Sequence, residues 1–184
     1  TSLETVSVAQ SASIGERKVA ILLVNFSNDT STPITPAQLS PIMFTNTTSV
    51  NVYYKENSFN QTSLSGQVFG WYTISSTNAN CESNFWSWGD QANALATAAG
   101  VNLSEYQSIG YVFPKPPNCP GSGFGTLGGS PGRIWIFEHA EKRLYAHELG
   151  HNMGVLHAAS LKCGTKQIDV YANCSLDGYG DVYD

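Results

Sequence analysis

The sequence predicts an α/β fold of the mixed α+β type, in which a twisted sheet lies over a helix in the C-terminal half of the chain. Three observations predict this fold. Apolar or β-branched runs alternate with helical segments along the chain, and no internal repeat interrupts that order. The 184 residues are 41% hydrophobic, which is enough to bury a sizeable core as one domain. Residues 147–157 read H-E-x-x-H-x-x-G-x-x-H, a pattern typical of a helix that ends in a sharp break.

The N-terminal half of the chain predicts two strands and two helices. Residues 18–26 form an apolar run that ends in a polar cluster, which indicates a buried strand followed by a loop. Residues 48–57 predict a short helix, and the aromatic and β-branched residues 66–75 predict a strand. Residues 88–99 are rich in alanine and are followed by Gly100, so we expect a helix there.

The C-terminal half predicts two further strands, an edge strand and the helix of the motif. Residues 108–113 and 133–138 are apolar runs with strand character. The Gly- and Pro-rich stretch 114–131 predicts a long loop that contains a short edge strand near residues 124–127. The motif helix is expected over residues 140–153.

The spacing of the first two histidines fits a shared metal ion. His147 and His151 are four residues apart, so on a helix they lie about 40° from each other around the axis and about 6 Å along it. Both imidazoles can therefore reach one ion. Glu148 lies about 100° round from His147, which aims its carboxylate beside the ion rather than at it.

His157 requires the helix to stop before it. A continuous helix would carry His157 roughly 240° away from His151, pointing off the site. Gly154 is placed to end the helix, because glycine enters the left-handed C-cap conformation at little steric cost. The chain can then turn and bring His157 back as a third ligand.

These side chains predict a catalytic zinc site with one ion. Three imidazoles leave zinc a fourth position for water, whereas a structural zinc site more often uses cysteines. Zinc lowers the pKa of that water, and we expect Glu148 to take its proton and pass it to the leaving amine. The motif thus predicts hydrolysis of peptide bonds by a zinc-bound water activated by Glu148.

Two other candidate metal-binding groups are disfavoured. His139 is the one histidine outside the motif, and a solvated or capping role fits it better than a ligand role. Asp177, Asp181 and Asp184 suggest calcium, but their spacing misses the EF-hand pattern, so calcium stays a minor option.

Composition favours a secreted protein and excludes several function classes. Charged residues make up only 12% of the chain and the net charge is −5 without a basic run, which argues against a nucleic-acid surface. No apolar run is long enough to span a membrane.

The chain has four cysteines, and none of them form a C-x-x-C pair. This pattern favours disulfide bonds rather than buried free thiols. Four cysteines can pair in three ways. The short loop between Cys163 and Cys174 favours a bridge between these two, which leaves Cys81 to pair with Cys119.

The zinc motif and three further stretches resemble the gametolysin-like family of the metzincin metallopeptidases. The stretches are residues 53–59 with 70–72, residues 128–136 and residues 179–184. The resemblance implies a zincin fold with a mostly parallel sheet, an antiparallel edge strand and an active-site helix. It also implies a monomeric secreted enzyme that cleaves protein or peptide substrates, among them extracellular matrix or cell-wall glycoproteins.

The resemblance gives the Gly-rich edge a second interpretation. Such loops are more often plain connectors, but proteases of this kind pair an extended substrate with an edge strand. The residues that would bind substrate here are Phe124, Gly125, Thr126, Leu127 and Gly128.

The resemblance also implies a methionine-containing turn after the third histidine. The two methionines are Met43 and Met153, both upstream of His157. We therefore expect residues 1–154 to form the upper subdomain with its active-site helix, and residues 155–184 to begin an incomplete lower subdomain. The leading hypothesis is a secreted zinc endopeptidase. The alternative is a non-catalytic zinc-binding or interaction fragment of a metzincin that lacks this turn.

Overall fold

A computed structural model describes residues 13–137, 141–167 and 169–180 of the chain. The chain divides into two compact units, Thr1–Gly154 and Val155–Asp184, and each is described by itself. In the described part of the chain, no helix has both the length and the apolar character that a membrane crossing requires.

The first unit contains a five-stranded sheet in the order β2-β1-β3-β5-β4. Three parallel pairings join β2 to β1, β1 to β3 and β3 to β5, and β4 pairs antiparallel with β5 at the edge. The predicted fold class, a mostly parallel sheet with an antiparallel edge strand, is therefore confirmed. The strands are β1 Gly15–Asn25, β2 Thr62–Thr73, β3 Ser108–Val112, β4 Gly123–Gly125 and β5 Gly132–Ile136.

Helices cover both faces of this sheet. They are α1 Pro36–Ser40, a π-helical turn Pro41–Thr45, α2 Val50–Asn57, α3 Cys81–Ala98, a 3-10 turn Leu103–Glu105 and α4 Lys142–Asn152. Helix α3 begins at Cys81, earlier than residue 88, and Cys81 forms a disulfide with Cys119 in the loop after β3. The prediction missed α1, although Thr35 and Gln38 form a capping box with Pro36 between them.

Strand β1 lies at the centre of the core. Its residues from Val19 onward are buried on both faces, as expected for a parallel strand between two helical layers. On one face it packs in a cluster with Tyr145 and Leu149 of α4, and on the other in a cluster with Trp88 of α3. The core therefore fixes α4 against the face of the sheet opposite to α3.

A buried amide attaches the C-terminal end of α4 to the sheet. Asn152 is fully buried, and its Nδ2 donates to the backbone oxygens of Thr126 at 3.0 Å and Arg133 at 3.1 Å. Its Oδ1 accepts from Ser108 Oγ at 2.9 Å, and Ser108 Oγ accepts from Arg17 Nε at 2.9 Å. These bonds connect α4 with β1, β3, β5 and the chain just beyond β4.

The second unit contains a short disulfide-closed hairpin. Strands β6 Ser160–Lys162 and β7 Ser175–Asp177 pair antiparallel, with a 3-10 turn Tyr171–Asn173 between them. Cys163 directly follows β6, Cys174 directly precedes β7, and the two cysteines form the second disulfide. The sequence analysis missed both strands, because each has only three residues and no alternating pattern that a periodicity search can detect.

We expect Asn152→Ala to lower the free energy of unfolding of the metal-free chain by about 2–4 kcal/mol. The substitution removes a buried amide that bonds to two backbone carbonyls and to the buried Ser108 hydroxyl. Urea unfolding followed by tryptophan fluorescence measures the change. Asn46→Ala, at an exposed asparagine, is the matched control and should stay within about 0.5 kcal/mol of wild type. A loss of less than 1 kcal/mol for Asn152→Ala would contradict this account.

Candidate metal centre

Helix α4 brings the first two histidines of the motif together. The Nε2 atoms of His147 and His151 are 3.2 Å apart, and the two rings are nearly perpendicular at 85°. Nitrogen ligands at 2.0–2.1 Å in a tetrahedral zinc site lie about 3.4 Å from each other. The two side chains thus already have the separation that a shared zinc ion requires.

His157 completes a group of three histidines. Each imidazole offers one ligand nitrogen, and these atoms all lie within 4.8 Å of one another. Among the described residues, this is the group of histidine, cysteine or carboxylate side chains that is suited to hold a metal ion. The donor set, imidazole only, suits zinc and other transition metals rather than calcium.

Helix α4 ends where the sequence analysis placed its break. Its last residue is Asn152, Met153 is the C-cap, and Gly154 has a φ of +90°. The amide of Gly154 donates to the carbonyl of His151 at 2.9 Å, which closes the last turn. A Cβ at Gly154 would meet no atom within 4 Å, so the reason for glycine here is backbone conformation and not space.

Glu148 is a buried carboxyl group beside the histidine pair. It is only 4% exposed, and this burial raises its pKa from 4.5 to about 7. A group with this pKa exchanges protons readily near neutral pH, which is the property a general base and acid needs.

Edge strand β4 packs directly on Glu148 through two glycines. A Cβ built on Gly123 would lie 2.9 Å from Glu148 Oε1, and one on Gly125 would lie 2.7 Å from the Glu148 carbonyl oxygen. A side chain has no room at Gly125, where the nearest atom is backbone, and one at Gly123 would displace the Glu148 carboxylate. The alternation of glycines on one face of β4 is therefore what allows the strand to approach the helix this closely.

The segment that follows β4 is also attached to α4. Of the five residues predicted to bind substrate, Phe124 and Gly125 lie in β4 and the other three follow it. The amide of Gly128 donates to the carbonyl of His151 at 2.8 Å, and Thr126 accepts from Asn152. Leu127 is 49% exposed. Phe124 stacks on Phe85 of α3, with ring centroids 5.4 Å apart, on the face of the sheet away from Glu148.

Helix α4 is held on another side by a residue that the sequence analysis did not select. Tyr54 of α2 donates its hydroxyl to the carbonyl of Ala146 at 2.5 Å. Burial raises the pKa of Tyr54 above its ordinary value, so the hydroxyl remains a donor at neutral pH. Tyr54 lies in the stretch 53–59 that resembles the family, but no role was assigned to it, because a tyrosine on a helix is most often a plain core residue.

One of the disfavoured candidates, Asp177, lies among the described residues, whereas His139, Asp181 and Asp184 lie outside them. Asp177 is engaged within the second unit, where its carboxylate accepts from Lys162 Nζ and from the backbone amide of Tyr179. Among the described residues, the structure gives no support to calcium binding.

The chain matches one family of known proteins over most of its length. The family model described as gametolysin peptidase M11 matches residues 18–171, which covers most of the chain and all three motif histidines. The protein is therefore a metallopeptidase. It belongs to the gametolysin M11 peptidase family, and the resemblance predicted from the sequence is confirmed. No curated protein matches the chain.

The raised pKa of Glu148 predicts a pH-dependent effect on stability in the absence of metal. Between about pH 4.5 and 7 the folded chain keeps a proton on Glu148 that the unfolded chain has lost, so the free energy of unfolding falls as pH rises through this window. Glu148→Gln removes this penalty. We expect the metal-free variant to be more stable than wild type by up to about 3 kcal/mol at pH 7.5, and equal to it at pH 4.

Urea unfolding in the presence of EDTA at pH 4, 5.5 and 7.5 measures this difference. Glu56→Gln, at an exposed glutamate of α2, controls for the loss of a negative charge. Equal stability of wild type and Glu148→Gln at all three pH values would show that burial does not disfavour the charged carboxylate.

Proposed function

We propose that this metallopeptidase is a zinc-dependent endopeptidase that is secreted and acts on extended segments of protein substrates. The observation that carries the proposal is the buried Glu148 carboxyl, which lies against the edge strand β4 on the same helix that brings His147 and His151 together. His147, His151 and His157 are the proposed zinc ligands.

Zinc, when bound, would polarise the scissile carbonyl and lower the pKa of water at the site. Glu148 supplies the proton transfer. As a carboxylate it accepts a proton from the attacking water, and as a carboxylic acid it returns that proton to the leaving amine. In the metal-free chain burial raises its pKa to about 7, which favours the protonated form, whereas a bound cation would favour the carboxylate that accepts the proton from water.

The free side of β4 is the proposed substrate-binding edge. Thr126 donates its amide to Arg133 O and Phe137 donates its amide to Ser122 O, which fixes the hydrogen-bonded positions of the β4–β5 ladder. Gly123 and Gly125 occupy the alternate positions, so their N–H and C=O groups point away from β5. An extended peptide can pair with these groups as an additional strand, directly beside Glu148.

Secretion and the substrate class are proposed on separate grounds. The two disulfides suit an oxidising compartment, where such bonds persist. By family likeness, extracellular matrix or cell-wall glycoproteins are the proposed substrates, and the protein is proposed to act as a monomer.

The first test separates metal binding from catalysis. We expect wild type to bind about one zinc per chain and to digest casein, with digestion blocked by 1,10-phenanthroline. Glu148→Ala should keep zinc and lose at least about a thousandfold in kcat/KM, because the base is missing while the three imidazoles remain. His151→Ala is the paired variant that should lose zinc and activity together.

Activity that survives Glu148→Ala would remove this residue from the mechanism. Stoichiometric zinc without turnover in wild type would favour the alternative hypothesis of a non-catalytic zinc-binding protein.

The second test concerns the substrate edge. The substrates are two matched series of peptides, and each peptide carries one N-methyl group on a backbone amide. In one series the methylated amides are odd-numbered from the scissile bond, and in the other they are even-numbered. If the peptide pairs with β4, methylation in one series should lower kcat/KM about tenfold or more, because each methyl removes a ladder hydrogen bond and adds bulk at the edge. Equal sensitivity of the two series would contradict strand pairing.

A further inference from the structure

We propose that Tyr179 is a positioning residue for the third zinc ligand, and that it acts by stacking on the imidazole of His157. The ring centroids of the two side chains are 4.0 Å apart and the planes are inclined by 31°. This is a close, tilted ring contact, nearer than the usual lower limit of about 4.5 Å for aromatic pairs. The inference rests on the proposed zinc function and concerns the second unit alone.

The hairpin of the second unit brings these two residues together. Ser160 of β6 pairs with Asp177 of β7. His157 precedes this pair on one side of the hairpin, and Tyr179 follows it on the other, so both side chains lie at the same open end. The disulfide between Cys163 and Cys174 closes the opposite end and holds the two arms in register.

The backbone on both sides of Tyr179 is fixed. Its amide donates to Asp177 Oδ1 at 3.2 Å, and the amide of Gly180 donates to the Asp177 carbonyl at 3.1 Å. A Cβ on Gly180 would lie 1.9 Å from Ser160 Oγ, so only glycine lets the chain pass so close to β6. The Asp177 carboxylate is itself held by Lys162. The ring of Tyr179 is therefore presented to His157 by a defined turn.

Core packing does not account for this tyrosine. Tyr179 is 73% exposed, so its contribution to burial of apolar surface is small. Its specific contact is with a proposed metal ligand. An imidazole that binds a divalent cation loses electron density, and the electron-rich face of a phenol stabilises such a ring more than a neutral one. The stack should therefore favour the metal-bound state over the metal-free state.

The test measures zinc affinity by competition with a chromophoric chelator. We expect Tyr179→Ala to raise the zinc Kd about 10-fold, the low end of the range for residues that orient a metal ligand. Tyr179→Phe keeps the ring and should stay within about twofold of wild type. Tyr171→Ala removes another exposed tyrosine of the same unit, and its zinc Kd should match that of wild type.

A second readout distinguishes positioning from a general loss of structure. Cobalt substituted for zinc reports ligand geometry through its visible absorption, and this spectrum should change in Tyr179→Ala but not in Tyr179→Phe or Tyr171→Ala. The thermal unfolding of the metal-free chain should be the same for wild type and Tyr179→Ala, because so little of the side chain is buried. Tyr179→Leu keeps apolar bulk without a π face and should behave like the alanine variant.

Equal zinc affinity of wild type and Tyr179→Ala would overturn this inference and leave the proposed function intact. An equal loss in Tyr179→Phe and Tyr179→Ala would also overturn it, because the hydroxyl and not the ring would then be the acting group. A wild-type chain that binds no zinc would overturn the proposed function and this inference together.

Discussion

The amide of Asn152 is the contact on which the arrangement of the metal centre depends. It follows His151 directly in sequence, and its bonds reach β3 through Ser108, β5 through Arg133 and the chain after β4 through Thr126. A helix packed only by apolar side chains can slide or rotate at modest cost, since dispersion contacts have no preferred direction. Directional hydrogen bonds in a buried site do not permit this, because each broken bond leaves an unsatisfied group. The position of His147 and His151 relative to the sheet edge is therefore fixed by a polar contact inside an apolar core.

The same contact determines how β4 lies beside Glu148. Asn152 and the Gly128 amide hold the end of β4 against α4, and the glycines at 123 and 125 remove the side chains that would otherwise separate strand and helix. The resulting burial of Glu148 is what raises its pKa. On the other face, Phe124 stacks on Phe85 and fixes the tilt of the edge. The raised pKa of Glu148 and its contact with the edge strand β4 are thus two results of one close approach.

Much of this fold follows from the sequence, and the failures have physical causes. The strand and helix order and the end of α4 near Gly154 are local patterns with strong chemical signals, whereas the antiparallel edge was implied by the family resemblance. The π-helical turn at Pro41–Thr45 and the strands β6 and β7 are too short for periodicity to reveal them. The role of Asn152 is hidden because a polar residue in a helix suggests a solvated face, and the partners of Asn152 lie far away in sequence. The stack of Tyr179 on His157 depends on hairpin pairing, which the sequence analysis did not predict.

The central claim is that three imidazoles of this chain hold a zinc ion. Zinc K-edge X-ray absorption on the purified chain with one equivalent of zinc tests it most directly. The account predicts nitrogen or oxygen atoms at about 2.0–2.1 Å with the scattering signature of three imidazole rings, and of two rings in His157→Ala. A sulfur shell at about 2.3 Å, or a wild-type spectrum with two rings or fewer, would contradict it.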